Sequence, residues 1–227
     1  YDIVVDSFGD IYVTGYSNLS ISYDIYTIKY NFSGEEVWNV SHDGGWNGTD
    51  EGRAISIDSL GNVYVAGTVY INPSNQEDYY VAKYNSTNGN LIWNNTYDGG
   101  GYEDYVNDVA VDSSGNVYIT GESWDTDNYD FYTIKYNSTG HEQWNAIYDG
   151  GPKALGYSSE DKAKAIAVDS SGNVYVTGVS EDAFGTNSGY DFYTIKYNST
   201  GHEQWNATYD DQNRSDVAYG IALDYSD

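Results

Sequence analysis

An eleven-residue segment returns four times along the chain: VDSFGDIYVTG at 5–15, IDSLGNVYVAG at 57–67, VDSSGNVYITG at 111–121 and VDSSGNVYVTG at 168–178. Its leading aspartates, Asp6, Asp58, Asp112 and Asp169, stand 52, 54 and 57 residues apart. A second block follows each copy, as DIYTIKYNFSGEEVWNV, DYYVAKYNSTNGNLIWNN and twice DFYTIKYNSTGHEQWNA. Self-similarity at this period means that one supersecondary unit is built again and again, each copy burying its neighbour's face.

Each unit reads as four short strands. Strand A is AIAVD and alternates; a glycine-containing turn, SSGN, leads into strand B, VYVTG. A loop of variable length precedes strand C, DFYTIKYN, whose β-branched and aromatic residues suit a strand packed on both faces. The turn STG reverses the chain into strand D, HEQWNATYD, which ends on Asp-Gly or Asp-Asp. No window has a 3.6-residue period with caps, so almost no helix is expected. The fold expected is an all-β propeller of four-stranded antiparallel blades at 1–49, 50–104, 105–161 and 162–217. Residues 218–227 are expected to supply the first strand of a fifth blade, because YGIALDYSD at 219–227 is the counterpart of YDIVVDSFGD at 1–10. That duplication points to a piece of a longer array that forms an arc or is closed by other material. A four-bladed ring with a spare terminal strand is the alternative, and an exposed terminal strand is an edge for self-association.

DSSGNVYVTG together with YTIKYNSTGHEQWN resembles the β-propeller repeat (SBBP-type) family of prokaryotic cell-surface proteins, and more loosely the pyrroloquinoline-quinone-like and NHL propellers. The resemblance covers essentially the whole chain. It implies architecture rather than activity, since propellers host many unrelated functions.

Composition narrows the partners. A formal charge of −26 with nine Lys and Arg argues against nucleic acid and anionic membrane surfaces. The absence of Cys excludes disulfides, thiolate metal sites and cysteine nucleophiles. No apolar run approaches membrane-spanning length. The 27 Tyr and 6 Trp favour sheets with partly buried faces over disorder.

Up-and-down strand order sends the uniform A–B and C–D turns to one rim and the variable B–C and D–A loops to the other, where binding is expected. Trp38, Trp93, Trp144 and Trp205 recur at one strand-D position and read as packing. Trp46 and Trp124 do not recur, sit in variable loops, and are the candidate ligand-binding residues, able to stack on a sugar ring or to fold back over a blade edge. The D–A loops gather Asp43, Asp50, Glu51, Glu103, Asp104 and Asp108, the candidate calcium ligands where adjacent blades meet; a solvated acidic surface is the plainer reading. DTDNYD at 125–130 fails the EF-hand pattern, with Tyr129 and Asp130 where an oxygen ligand and a glycine belong.

One lysine recurs in strand C, as Lys29, Lys83, Lys135 and Lys196. It is expected at a blade–blade contact, paired with the aspartate that ends strand D, such as Asp149. His141 and His202 are copies of one turn residue, and His42 stands alone at the end of a strand D, so no catalytic residue is assigned. Asn-X-Ser/Thr sequons begin at Asn18, Asn31, Asn39, Asn47, Asn85, Asn94, Asn137, Asn198, Asn206 and Asn213. Glycans at Asn31, Asn85, Asn137 and Asn198 would decorate the uniform rim.

The function expected is a non-enzymatic extracellular or cell-surface module, a structural spacer or recognition scaffold in a surface layer, sheath or filament. Its partners would be glycans or neighbouring surface-protein chains, and calcium the cofactor if there is one. A carbohydrate-binding lectin-like propeller is the alternative, and a polysaccharide-degrading enzyme comes third.

Overall fold

The computed structural model describes residues 1–18, 22–46, 48–71, 76–100, 102–124, 128–150, 160–181, 189–211 and 215–224. Asp125 and Asp127 of the DTDNYD stretch, and the sequon residues Asn47 and Asn213, lie outside these. Among the described residues there are sixteen strands and no helix. They form four sheets, each an up-and-down antiparallel meander in sequence order. The first blade is β1 (Asp2–Val5), β2 (Ile11–Ser17), β3 (Asp24–Tyr30) and β4 (Glu36–His42). The second is β5 (Glu51–Ile57), β6 (Val63–Tyr70), β7 (Glu77–Tyr84) and β8 (Leu91–Tyr97). The third is β9 (Asp104–Val111), β10 (Val117–Trp124), β11 (Tyr129–Tyr136) and β12 (Glu142–Tyr148). The fourth is β13 (Asp161–Val168), β14 (Val174–Glu181), β15 (Tyr190–Tyr197) and β16 (Glu203–Tyr209).

The blade starts are set by an aspartate: β9 opens at Asp104 and β13 at Asp161, the residues expected to close the preceding blades. Residues 215–224 form no strand, so the first strand of a fifth blade expected at 218–227 is not seen in the described residues, although one backbone bond of a blade junction is kept. Asp216 N–H donates to Tyr190 O at 2.6 Å, as Asp50 N–H donates to Tyr23 O at 2.7 Å one junction after the first blade.

The repeated glycine of VTG has a steric cause. Strand A bulges opposite it, between Gly52 and Ala54, between Val106 and Asp108, and between Ala163 and Ala165. The bulge drives the strand-A backbone into the space where a side chain would sit on Gly121, whose Cβ would lie 1.9 Å from Tyr105 O.

Three apolar cores fill the three blade junctions. Tyr12, Ile25 and Trp38 meet Val63, Val65 and Tyr80; Tyr64, Tyr79 and Val81 meet Val106, Ile119 and Tyr132; Tyr118 and Phe131 meet Val174, Val176 and Tyr193. Strand packing between sheets runs from each blade to the next in sequence. Among the described residues no helix is long and apolar enough to cross a membrane.

Candidate functional site

The variable rim collects three aspartates at each of the three junctions and again at the far side of the last blade, each from a different place in the repeat. One begins strand C, one follows strand D, and one precedes or opens strand A of the next blade. The groups are Asp24, Asp43 and Asp50; Asp78, Asp98 and Asp104; Asp130, Asp149 and Asp161; and Asp191, Asp210 and Asp216. In each group one carboxylate oxygen per residue lies within 4.8 Å of the others. Asp43, Asp50 and Asp104, read from the sequence as ligand candidates, therefore fall into two of these groups. Their strand-C partners were missed, although the signal was present in the aspartate that precedes every copy of the YTIKY block.

The other candidates go elsewhere. Glu51 pairs with Arg53 at 3.0 Å and accepts from the Tyr1 hydroxyl. Glu103 accepts the Tyr129 hydroxyl at 2.8 Å. Asp108 bonds the backbone N–H groups of Val109 and of Ile166 in the fourth blade, both through its carboxylate. These side chains belong to none of the triads.

The strand-A aspartate is anchored the same way each time. Gly44, Gly99 and Gly150 donate their N–H groups to Asp50, Asp104 and Asp161 at 2.6, 2.6 and 2.7 Å. A Cβ on Gly99 would lie 2.6 Å from Asp104 Oδ1, so the glycine of the recurring Asp-Gly pair leaves room for the carboxylate. Burial pushes Asp50 and Asp104 up to about 6, and pushes Asp78 up to about 7 with the charges of Asp98, Asp104 and Glu77 adding to it. The Asp50 carboxylate has both oxygens engaged by backbone, through the N–H groups of Gly44 and Tyr70.

Trp46 and Trp124 are not brought together; they belong to successive junctions. Trp46 is 47% exposed on the first D–A loop. Trp124 meets the Tyr129 ring edge-on at 4.7 Å and, with Gln76, Tyr102 and Glu103, lines a shallow cleft of about 260 Å³.

The uniform rim is consumed by structure. Asp58 accepts the N–H groups of Leu60 and Asn62, the Asn62 amide and the Tyr64 hydroxyl. Although burial raises the pKa of this carboxyl, the Asn62 and Tyr64 bonds and Lys83 outweigh it and hold the pKa below the usual range. Asn31, Asn85, Asn137 and Asn198 use their side-chain oxygens in the same manner, each accepting the N–H two residues on. His141 and His202 bond Thr139 and Thr200 within those turns.

The recurring lysine does lie at the blade contact: Lys29 and Lys135 donate to the carbonyls of Ser86 and Ser199 in the next blade. Its acidic partner differs from the one expected. Lys29 pairs with Asp10 at 2.8 Å and Lys83 with Asp58 at 3.6 Å, both on the A–B turn. Asp149 cannot serve, because strand C carries its lysine toward the uniform rim while Asp149 joins Asp130 and Asp161 at the other.

The β-propeller repeat family SBBP matches residues 1–20, 44–69, 97–130 and 153–182. Among solved structures, a protein of unknown function from Dyadobacter fermentans is similar with a TM-score of 0.60 at 10% identity, over 91% of this chain and 67% of its own. The quinohemoprotein alcohol dehydrogenase of Comamonas testosteroni is similar with a TM-score of 0.56 at 15% identity, over 90% of this chain and 34% of its own. At such identities the likeness shows the fold alone. No curated protein matches the chain. Each matched stretch falls on the first two strands of one blade, and the chain carries four repeats of the SBBP β-propeller repeat family.

Proposed function

We propose that the chain is a non-enzymatic, rigid scaffold module of an extracellular or cell-surface protein, in which the repeated residues join blades and the variable loops face partners. The observation that carries this reading is the identity of the three junctions. Trp38, Trp93 and Trp144 each donate the indole N–H to a serine carbonyl of the next blade, at 2.9, 3.2 and 3.1 Å. The groups that repeat are thus engaged in packing, while the loops that differ share one rim. A stiff row of blades suits a surface layer, sheath or filament, where neighbouring chains are the partners. Glycans on Asn31, Asn85, Asn137 and Asn198 would project from the opposite rim, and the intact mass of the native protein reads them directly. Solution scattering that fits one rigid arc of blades, together with no turnover across a polysaccharide panel, is the expected result. Release of sugar from any member of that panel, or scattering from independently moving blades, would overturn the reading.

A second reading rests on the Trp124 cleft, where two aromatic rings flank a carboxylate fixed by a tyrosine hydroxyl, the mixture of apolar face and hydrogen-bonding edge that a sugar ring matches. Glycan-array binding lost in Trp124→Ala and Tyr102→Ala, with unchanged circular dichroism, is its expected signature. Binding that persists in both variants would remove the cleft from consideration.

A further inference from the structure

The second and third blades meet at an aspartate triad that differs from an ordinary acidic surface in one respect. Asp78, on β7, is 0% exposed, and neither of its carboxylate oxygens has a hydrogen-bond partner. Asp104, which opens β9 in the next blade, is also 0% exposed and keeps Oδ1 without a partner while Oδ2 accepts Gly99 N–H. Neither residue takes part in an ion pair among the described residues. Burying an ionised carboxylate without a partner is strongly unfavourable, and two such groups side by side are more so.

We propose that Asp78, Asp98 and Asp104 form a calcium site that ties the second blade to the third. The spacing fits the ion. Calcium takes oxygen ligands at about 2.4 Å, so two oxygens on one ion stand at most about 4.8 Å apart. One oxygen from each of the three aspartates meets that limit. Asp98, exposed at the rim, opens the site to solvent, so that water completes the six to eight oxygens calcium takes. An all-carboxylate donor set selects a hard cation over zinc or copper, and the flexible coordination of calcium suits three ligands drawn from two separate sheets. The ion would do at the rim what the Trp93 bond to Ser138 does at the other end of the same junction.

The test uses the whole chain freed of metal with a chelator. Calorimetric titration with CaCl2 should show bound calcium that MgCl2 does not displace, and CaCl2 should raise the melting temperature. Asp98→Asn, at an exposed position where folding is safe, and Asp78→Asn should each lower the number of bound calcium ions by one. Glu36→Gln, an exposed charge change on β4, should leave it unaltered. If Asp78→Asn does not fold, Asp98→Asn decides. A wild-type chain that binds no calcium, or an Asp98→Asn chain that binds as much as wild type, would overturn the proposal.

Discussion

The imidazole of His42 lies flat on the ring of Tyr80 in the next blade, with centroids 4.1 Å apart and planes 15° from parallel. Tyr97 stacks on Tyr132, and Tyr148 on Tyr193, in the same position of the later junctions. His42 is therefore a packing residue standing where the repeat otherwise has tyrosine, and burial lowers its pKa, favouring the neutral ring. Tyr209, the fourth member of the series, is exposed, as is Trp205. The outer face of the last blade thus carries a junction surface without a blade against it.

That asymmetry predicts unequal effects of one substitution at equivalent sites. Trp38→Ala removes a buried indole and its bond to Ser86, and should cost about 3–5 kcal/mol in urea unfolding. Trp205→Ala, at a residue 44% exposed against 8% for Trp38, should cost less than about 1 kcal/mol. Equal losses would mean that another blade covers this face in solution.

Gly201 and Gly34 occupy the same turn with φ of 83° and 80°. A Cβ on Gly201 would lie 2.7 Å from the Trp144 ring, whereas one on Gly34 meets nothing within 4 Å. Gly34→Ala should cost only the left-handed strain, about 1–2 kcal/mol. Gly201→Ala should cost about 1–3 kcal/mol more, because it also pushes the two blades apart. Thermal unfolding of the pair separates the two terms.

Asp108 is pushed up to about 6 by burial, the Ile166 and Val109 N–H bonds notwithstanding. A carboxyl whose folded pKa exceeds its unfolded value holds more protons in the native state between the two, so stability falls as pH rises from about 4 to about 6. Asp108→Asn should flatten that part of the profile relative to wild type. Urea midpoints measured across pH 4 to 7 with the same slope in both proteins would refute it.

Lys83 lies over the Tyr64 ring at 4.9 Å and pairs with Asp58. Lys83→Met should lower stability by about 2 kcal/mol at neutral pH. The Asp58 pKa is depressed in the fold, so its contribution is present above the unfolded value and is lost as pH falls through the folded one. The difference between wild type and Lys83→Met should therefore shrink on acidification below about pH 4, which melting curves at successive pH values would show.

The strand order, the blade count and the residues of the turns were legible in the sequence because they depend on local chemistry repeated four times. Glycine marks each turn, alternation marks each strand, and the period sets the unit. The lysine's position at a blade contact was legible for the same reason, but its partner was not. Asp10 and Asp149 are each near in the repeat, and only the direction of the strands decides which rim a side chain reaches. The aspartate triads lay further from view. Asp78, Asp98 and Asp104 are separated by a strand, a loop and a blade boundary, and look like three ordinary charges among thirty-five acidic residues. Packing one sheet on the next brought them within a single ion's reach and buried two of them; burial and convergence arise between sheets, where a one-dimensional pattern carries no distance.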